Sequence, residues 1–320
     1  MVGGTSPAAR RAFASSLLEP FTGPDAEIML PSGLKALDDG VAGYTFDLAP
    51  LRTAPESKRA LDPAAATADA DADSLVFSLI QTSLAPLPLC KPRLVNSTEG
   101  PHEMLRYITH VGVDVFDAGW AQRLAGWGVA LDFEFPASPS TTSSQGCSAG
   151  GRSRPVGHNL YDKTYVFDFG SIADCSCACP ACSPLVTSEQ DQLRHGGDSA
   201  SHTRIAPAAV SSAGGEAHTR AYIHHLLHTH EMGAHTLLAM HNLTVLDRFF
   251  EGVRAVLGAC GDGEGHGMTR WAEHVARFCE VYDEARSREV VERARRDWED
   301  VDRARGKGRL AREKESELHN

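Results

Sequence analysis

Residues 177–182 read Cys-Ala-Cys-Pro-Ala-Cys, and residues 240–243 read Met-His-Asn-Leu. These two short stretches decide how the second half of the chain folds, because together they predict a metal centre that ties one to the other. Three thiolates at Cys-x-Cys-x-x-Cys spacing can surround one ion from a single turn, and they leave one tetrahedral position open. The fourth ligand must come from elsewhere in the chain, and histidine is the expected residue type.

The choice among the 15 histidines rests on helical periodicity. Apolar residues between positions 217 and 247 recur with the spacing of an amphipathic helix. At about 100° per residue, one face of this helix carries Ile223, His230, Ala234, Leu237 and His241. Another side carries His224, His228 and His235. His241 stands where the strong apolar pattern thins out and is predicted to be the fourth ligand, with His230 as its rival.

A redox site is the alternative interpretation of the cluster, because residues 179–182 are formally Cys-x-x-Cys. Two further cysteines, Cys175 and Cys177, precede this motif and a long polar segment follows it, so a metal site is favoured. Cys175 is left without a role. The remaining four of the eight cysteines are scattered, which argues against a small secreted disulfide scaffold: Cys90, Cys147, Cys260 and Cys279.

Strand and helix signals alternate through the first half of the chain. The predicted strands cover residues 41–48, 92–95, 112–116, 129–135 and 164–169. The predicted helices cover residues 74–84 and 101–110, and the helical stretch 217–247 follows the cysteines. Such alternation predicts parallel pairing and an α/β fold. Because a closed (β/α)8 barrel takes roughly 200–250 residues of repeats, we expect about half a barrel here.

The composition argues against two classes of function. The chain has 320 residues, with 31 basic and 42 acidic side chains and a net charge of −11. A net-acidic chain is poorly suited to hold nucleic acid by itself, because phosphate binding needs clustered Lys and Arg. No apolar run approaches the roughly 18–20 residues of a membrane span, so integral membrane insertion is not expected. The amino-terminal 18 residues lack acids and weakly resemble a transit peptide, but an ordinary helix start is favoured.

Low hydrophobicity identifies three segments as loops or insertions, namely residues 54–73, 137–157 and 183–217. The stretch 284–317 is dense in charge and predicts a solvated helix with intrahelical ion pairs. We therefore expect a partial barrel at 1–170, interrupted at 137–157. A metal-binding subdomain with a long helix is expected at 171–257, interrupted at 183–217. A charged helical tail is expected at 258–320.

The cysteine motif belongs to a longer pattern. Together with His-Thr-Arg-Ala-Tyr-Ile-His-His-Leu-Leu at 218–227 and Met-His-Asn-Leu at 240–243, it resembles the zinc subdomain of tRNA-guanine transglycosylases. Those enzymes exchange a guanine in tRNA for a modified base, on a (β/α)8 barrel with an inserted zinc site. The resemblance implies one Zn²⁺ per chain, held by Cys177, Cys179, Cys182 and His241. The family's segment between cysteines and histidine is shorter, so residues 183–217 are expected to loop out between them.

A second match lies upstream, where residues 91–93 read Lys-Pro-Arg and residues 112–117 read Gly-Val-Asp-Val-Phe-Asp. The second stretch resembles the strand that carries the family's nucleophile, and Asp114 is matched to that position. Catalytic members continue with Pro-Thr-Arg, whereas this chain reads Ala-Gly-Trp-Ala-Gln-Arg at 118–123. With Gly-Val-Ala-Leu-Asp-Phe at 128–133, the departure resembles the non-catalytic accessory branch. We expect Asp114 to be inactive and to accept hydrogen bonds from loop amides.

The resemblance implies an accessory subunit with no catalytic residues and no organic cofactor. Its partner would be a catalytic queuine tRNA-ribosyltransferase subunit, joined as a heterodimer through the zinc subdomain and residues 218–250, with tRNA bound by the complex. A cytoplasmic location, extending to the outer mitochondrial surface, is implied as well. Two alternatives stay open: an active transglycosylase that uses Asp114 as nucleophile, and a zinc-stabilised binding protein of unrelated role.

The start of the chain also bears on the barrel. Residues 2–11 resemble a segment from the middle of the family's barrel, so the early strands are expected to be missing. A half-barrel would expose sheet edges, which favour aggregation. A truncated gene model is therefore favoured over a protein that works as a half-barrel.

Overall fold

A computed structural model describes residues 4–53, 68–137, 153–173, 177–183, 217–260 and 266–304. The chain divides into two compact units, Met1–Trp120 and Ala121–Asn320. Cys175 and most of the three low-complexity segments lie outside the described residues. The expectations for them therefore stay predictions.

The elements are numbered in chain order. The helices are α1 (Pro7–Leu18), α2 (Pro24–Met29), α3 (Leu48–Thr53), α4 (Ala68–Leu84), α5 (Pro101–Val111), α6 (Gly119–Gly126), α7 (Arg220–His228), α8 (Met232–Cys260), α9 (His266–Val281) and α10 (Glu284–Ala304). The strands are β1 (Tyr44–Asp47), β2 (Arg93–Asn96), β3 (Val115–Phe116), β4 (Val129–Leu131) and β5 (Gly157–Asn159). Short 3₁₀ turns lie at Leu30–Ser32, Leu37–Gly40 and Lys163–Tyr165.

A three-stranded parallel sheet in the order β1-β2-β3 forms the centre of the first unit. Tyr44 lies opposite Arg93 at one end of the β1–β2 pair, and Leu94 of β2 lies opposite Val115 of β3. Because α4 separates β1 from β2 and α5 separates β2 from β3, each connection is the crossover that parallel strands require. Apolar residues from strands and helices share one core, among them Phe46, Ile80, Val95 and Tyr107. The predicted α/β alternation is confirmed for this unit.

Local sequence signals set the ends of the helices. Ser6 caps α1 by accepting a hydrogen bond from the Ala9 amide, with Pro7 at the first helical position. Helix α5 likewise starts at a proline, Pro101. It ends at Gly112, whose φ of 70° is the left-handed conformation that glycine adopts without strain. That turn leads the chain directly into β3.

The second unit contains an antiparallel strand pair that the sequence did not predict. Strand β4 pairs with β5, with Val129 opposite Asn159 and Leu131 opposite Gly157. The expectation of parallel pairing is therefore wrong for β4, because its described neighbour β5 runs antiparallel to it.

The predicted strand at 164–169 is also wrong. The Asp162 carboxylate accepts a hydrogen bond from the Thr164 amide and starts a 3₁₀ turn. Beyond the turn, the Asp168 carbonyl accepts a hydrogen bond from the Ala221 amide at 2.7 Å, so the backbone binds to α7 rather than to a strand. The apolar residues that suggested inward positions, Phe167 and Phe169, are exposed.

The long helix expected across 217–247 is two helices. Helix α7 ends at His228, and α8 begins at Met232. The Thr229 hydroxyl donates to the carbonyls of His225 and Leu226, which competes with continuation of the helix. His230 lies between the helices with a positive φ of 59°. The helical face predicted across Ile223 and His241 therefore spans a break between two helices.

Helices α9 and α10 complete the core of the second unit. Phe278 and Tyr282 join Phe133 and Phe249 in one aromatic cluster, with ring centroids 4.7–6.3 Å apart in the contacting pairs. On α10, Arg288 pairs with Glu284 at 3.1 Å, as expected for an intrahelical ion pair. Across the described ranges, every helix is too short or too polar to cross a lipid bilayer.

Candidate metal centre

The cysteine loop is a compact turn held by its own backbone. The amides of Cys182 and Ser183 donate to the carbonyl of Cys179 at 3.1 and 2.8 Å. The Cys182 amide also donates to the Cys179 sulfur at 3.3 Å. The Ser183 hydroxyl donates to the carbonyl of Cys177. These bonds hold the three cysteines in one compact turn.

The turn brings three sulfurs to one imidazole. One ligand atom from each of Cys177, Cys179, Cys182 and His241 lies within 4.8 Å of every other. The Nδ1 atom of His241 is 3.3 Å from the Cys182 sulfur and 3.8 Å from the Cys179 sulfur. Cys177, Cys179 and His241 are buried, and Cys182 is partly buried. This group could hold a metal ion, and its members are the four residues named from the sequence.

His241 is oriented from its far side. Its Nε2 atom is 2.8 Å from the carbonyl oxygen of Leu131, the last residue of β4. A carbonyl only accepts, so Nε2 carries the proton and Nδ1 is left to face the sulfurs. A ligating histidine typically donates its second ring N–H in this way, which fixes both tautomer and ring orientation.

The side chain of Asn242, the residue after His241, connects α8 to β4. Its side-chain oxygen accepts from the Leu131 amide at 2.9 Å, and its amide nitrogen donates to the carbonyls of Val129 and Ala121. The side chain is fully buried, so these bonds are made away from competing water. Asn242 thereby fastens α8 to β4 at the point where His241 also meets Leu131. The His-Asn pair sets the position of α8 relative to the strand.

Charge at the cluster is set by contacts among its own members. Hydrogen bonds from Cys179 and Cys182 lower the pKa of Cys177, whereas the contacts with Cys177 and Cys179 raise the pKa of Cys182. Burial disfavours the charged form of His241, but the sulfurs of Cys177 and Cys179 outweigh burial and raise its pKa to about 9. The group stabilises positive charge at its centre, which suits a cation.

The other histidines named from the sequence lie elsewhere. His230, the rival ligand, is in the break between α7 and α8 and is not part of the cluster. The rings of His224, His228 and His235 each bond to a backbone carbonyl, those of Leu160, Tyr161 and Ala125 respectively. His224 and His228 therefore fasten α7 to the loop after β5, His235 fastens α8 to the end of α6, and none of the three belongs to the cysteine group.

Asp114 lies at the amino edge of the parallel sheet, just before β3. Its carboxylate accepts a hydrogen bond from the amide of Arg93, the first residue of β2, at 2.9 Å. Its own amide donates to the Arg93 carbonyl, also at 2.9 Å. Reacting groups of (β/α)8 enzymes lie at the carboxyl ends of the strands, which is the opposite edge. The hydrogen-bond donor to the Asp114 carboxylate is thus a strand amide rather than the loop amide expected, and the absence of a catalytic role for Asp114 stays a prediction.

The carboxyl edge carries two aspartates that the sequence reasoning did not single out. Asp47 ends β1 and accepts from the Ser97 hydroxyl at 2.8 Å and from the Ala49 amide at 3.1 Å. Asp117 follows β3 and accepts from the amides of Ser97 and Gly119 with its two oxygens. Their signal in the sequence is an aspartate at the last strand residue or just after it. Each is engaged by donors of the chain itself.

Fold and site together define an α/β protein with a three-cysteine, one-histidine centre completed by a long helix. The sequence model of one family, described as Queuine tRNA-ribosyltransferase, matches residues 66–259. Since the match covers more than half of the chain, the chain belongs to the queuine tRNA-ribosyltransferase family. The family predicted from the cysteine and histidine motifs is thereby confirmed.

Several curated relatives carry the name Queuine tRNA-ribosyltransferase accessory subunit 2. The human protein is 29% identical over 202 residues, covering 56% of this chain and 40% of the relative. The Danio rerio protein is 28% identical over 196 residues, covering 55% and 39%. The Caenorhabditis elegans protein is 23% identical over 223 residues, covering 69% and 43%. The chain thus spans about two fifths of the length of the curated relatives it matches.

Proposed function

We propose that this chain is the non-catalytic accessory subunit of a tRNA-guanine transglycosylase that exchanges guanine for queuine at the wobble position of tRNA. The observation that carries the proposal is the agreement between the family match and the names of the relatives, all accessory subunits. The altered residues at 118–123, where catalytic members are expected to read Pro-Thr-Arg, support the same assignment.

The arrangement of carboxylates supports a chain without catalytic residues. A carboxylate that attacks a ribose needs a lone pair directed at the substrate and freedom from competing donors. Asp114 is directed at the Arg93 amide at the amino edge of the sheet. At the carboxyl edge, both oxygens of Asp117 accept backbone amides, one of them at the start of α6. We therefore propose no catalytic role for either aspartate.

We propose zinc as the ion of the Cys177, Cys179, Cys182 and His241 group. Three thiolates and one imidazole are a typical closed donor set for structural Zn²⁺, and softer ligands of this kind disfavour Mg²⁺ or Ca²⁺. The prearranged turn and the orientation of His241 fit such an ion, which needs four donors around one point. Bound there, zinc would tie the cysteine turn to α8 and would take no part in base exchange.

The three parallel strands fit a barrel of the (β/α)8 type. Each is preceded or followed by a crossover helix, and their carboxyl ends lie at one edge. We propose that they form part of the carboxyl-terminal half of such a barrel, to which the metal centre is attached as a subdomain.

The proposed accessory role also implies a partner subunit. An accessory subunit pairs with a catalytic queuine tRNA-ribosyltransferase subunit, and we propose a heterodimer whose tRNA is bound by the complex. Because tRNA phosphates bind to basic side chains, a chain with a net charge of −11 agrees with a basic partner that supplies much of the affinity for tRNA. The cytoplasmic and outer mitochondrial location is part of the proposal and rests on the family resemblance.

A base-exchange assay tests the central proposal. The purified chain is incubated with unmodified tRNA and labelled guanine, with and without the catalytic subunit. We expect incorporation only when the catalytic subunit is present, and no change with Asp114→Asn. Asp117→Asn gives a second check, provided the variant keeps its metal content. Incorporation by the chain alone, abolished by either substitution, would contradict the proposal.

A further inference from the structure

A second pair of possible metal ligands lies on α7, apart from the cysteine group. His224 and His228 are one helical turn apart, at i and i+4, and therefore share a face of the helix. Their ring centroids are 4.3 Å apart, and the rings are tilted by 53°. His224 is buried, and His228 at the end of the helix is exposed. Two imidazoles at this spacing on a helix are an arrangement that binds divalent transition metals, as in helical His-x-x-x-His sites.

Each ring is held in place through one nitrogen. Nδ1 of His224 is 2.8 Å from the Leu160 carbonyl, and Nε2 of His228 is 3.2 Å from the Tyr161 carbonyl. Both nitrogens must donate, so in the neutral rings Nε2 of His224 and Nδ1 of His228 carry the lone pairs. Metal-ligating histidines show the same pattern, with the second N–H on a backbone carbonyl. Both anchors come from adjacent residues of one loop.

The surroundings favour a neutral His224 ring and tolerate a cation. Burial lowers the pKa of His224, and the nearby His228 and His225 act in the same direction, while the Leu160 carbonyl and Asp162 oppose it. A neutral ring is the form that binds metal. The pair also lies in the last turns of α7, where the carbonyl ends of the helix favour positive charge.

We propose that His224 and His228 form a second metal site, which binds a borderline divalent ion such as Ni²⁺, Cu²⁺ or Zn²⁺ with water completing its coordination. Imidazole ligands suit these ions, and affinity should increase from Ni²⁺ to Cu²⁺. Two protein ligands make this a weaker site than the cysteine group. The proposal stands whether or not the chain is an accessory subunit.

Calorimetric titration of the zinc-loaded full chain with Ni²⁺ at pH 7.5 tests the site. We expect one Ni²⁺ per chain, with affinity reduced at least about tenfold in His228→Ala, which removes one of two ligands. The matched control is His225→Ala, on the same helix and also exposed, which should bind as the unchanged chain does. Zinc content and far-ultraviolet circular dichroism check that each variant is folded.

A second measurement guards against a variant that folds poorly. Ni²⁺ should raise the melting temperature of the unchanged chain and of His225→Ala, but not that of His228→Gln, which keeps the size and polarity of the side chain. Equal Ni²⁺ affinity in the unchanged chain and His228→Ala would overturn the proposal. So would an equal loss in His225→Ala, because binding would then belong to scattered surface histidines.

Discussion

His241 joins two parts of the second unit through its two ring nitrogens. Nδ1 faces the sulfurs of the cysteine turn, and Nε2 donates to Leu131 at the end of β4. We expect His241→Ala and Cys182→Ser to lose zinc, because each leaves three donors where a closed site needs four. Structural zinc contributes on the order of 10 kcal/mol of apparent binding free energy, so the unit should also lose much of its stability.

Metal analysis after dialysis against a mild chelator measures this outcome. His230→Ala is the matched control, since His230 lies in the α7–α8 break and outside the cluster. It should retain one zinc per chain. Full zinc content in both His241→Ala and Cys182→Ser would reject the proposed ligands, and loss in His230→Ala would restore the rival assignment.

Protonation of His241 gives zinc binding a defined pH dependence. In the metal-free cluster the sulfurs raise the pKa of His241 to about 9, so the ring is charged at neutral pH and must lose a proton to bind zinc. The proton released by His241 should raise the apparent zinc affinity about tenfold per pH unit as pH rises towards 9. Chelator competition at pH 6.5, 7.5 and 8.5 measures the slope. His230→Ala, which keeps all four proposed ligands, should show the same slope as the unchanged chain, and a zinc affinity that stays constant from pH 6.5 to 8.5 would contradict the prediction.

Helix α8 approaches the segment that follows β4 so closely that one glycine is needed at the contact. A Cβ placed on Gly252 would overlap the carbonyl oxygen of Phe135, which is backbone and cannot rotate away. We expect Gly252→Ala to lower the free energy of unfolding by about 3 kcal/mol, the cost of forcing two packed elements apart. Denaturant unfolding of the zinc-loaded chain measures the change.

Gly258→Ala is the matched control in the same helix, because a Cβ there meets no described atom within 4 Å. Alanine has the higher helix propensity, so this variant should be unchanged or more stable by up to about 1 kcal/mol. Similar losses in both variants would contradict the prediction, because the effect would then not depend on the contact with Phe135.

Elements with strong periodicity could be predicted, and those fixed by tertiary contacts could not. The parallel strands and helix α5 follow from apolar alternation and from Pro101 and Gly112. Strand β5 is three residues long and is defined by its pairing with β4, so no local signal marks it. Residues 164–169 alternate like a strand, but Asp162 starts a turn and Asp168 binds α7. The break at 229–231 depends on side-chain hydrogen bonds of Thr229, which periodicity does not register.

The candidate site could be predicted further than the fold around it. Spacing predicts the three cysteines, and helical periodicity predicts His241 although the predicted face crosses a break in the helix; the structure brings these four residues together. The break does not affect the prediction of His241, because His241, Ala234 and Leu238 all lie on α8, whose own periodicity is intact. The contacts of Asp114 with Arg93 and of Asp117 with Gly119 depend on which sheet edge each residue occupies. The sheet edge at which each aspartate lies could be determined only once the limits of the strands were known.

At the scale of the whole molecule, the surface available to a partner differs from the one expected from the sequence. Residues 218–250 are expected to contact the partner subunit, but Phe249 within this range is fully buried in the aromatic cluster with Phe133, Phe135 and Phe278. The exposed apolar residues near α7 include Phe167 and Phe169, and Tyr222 on α7 is half-exposed. The segment that carries the two phenylalanines is tied to α7 by Asp168, which pairs with Arg220 at 3.3 Å.

We expect these aromatic rings to contribute to the proposed contact with the catalytic subunit. Phe167 and Phe169 are 83% and 73% exposed. Because exposed apolar surface is unfavourable in water, burial of these rings against a partner would be favourable. Large anchors at an interface are typically worth about 2 kcal/mol each, so Phe167→Ser with Phe169→Ser should weaken the heterodimer at least about tenfold. Met268→Ser is the control, because Met268 is 66% exposed on α9. Sedimentation of the zinc-loaded chain with the catalytic subunit measures the affinity. Unchanged affinity in the double variant would exclude this surface, and a chain that stays monomeric beside the catalytic subunit would contradict the heterodimer itself.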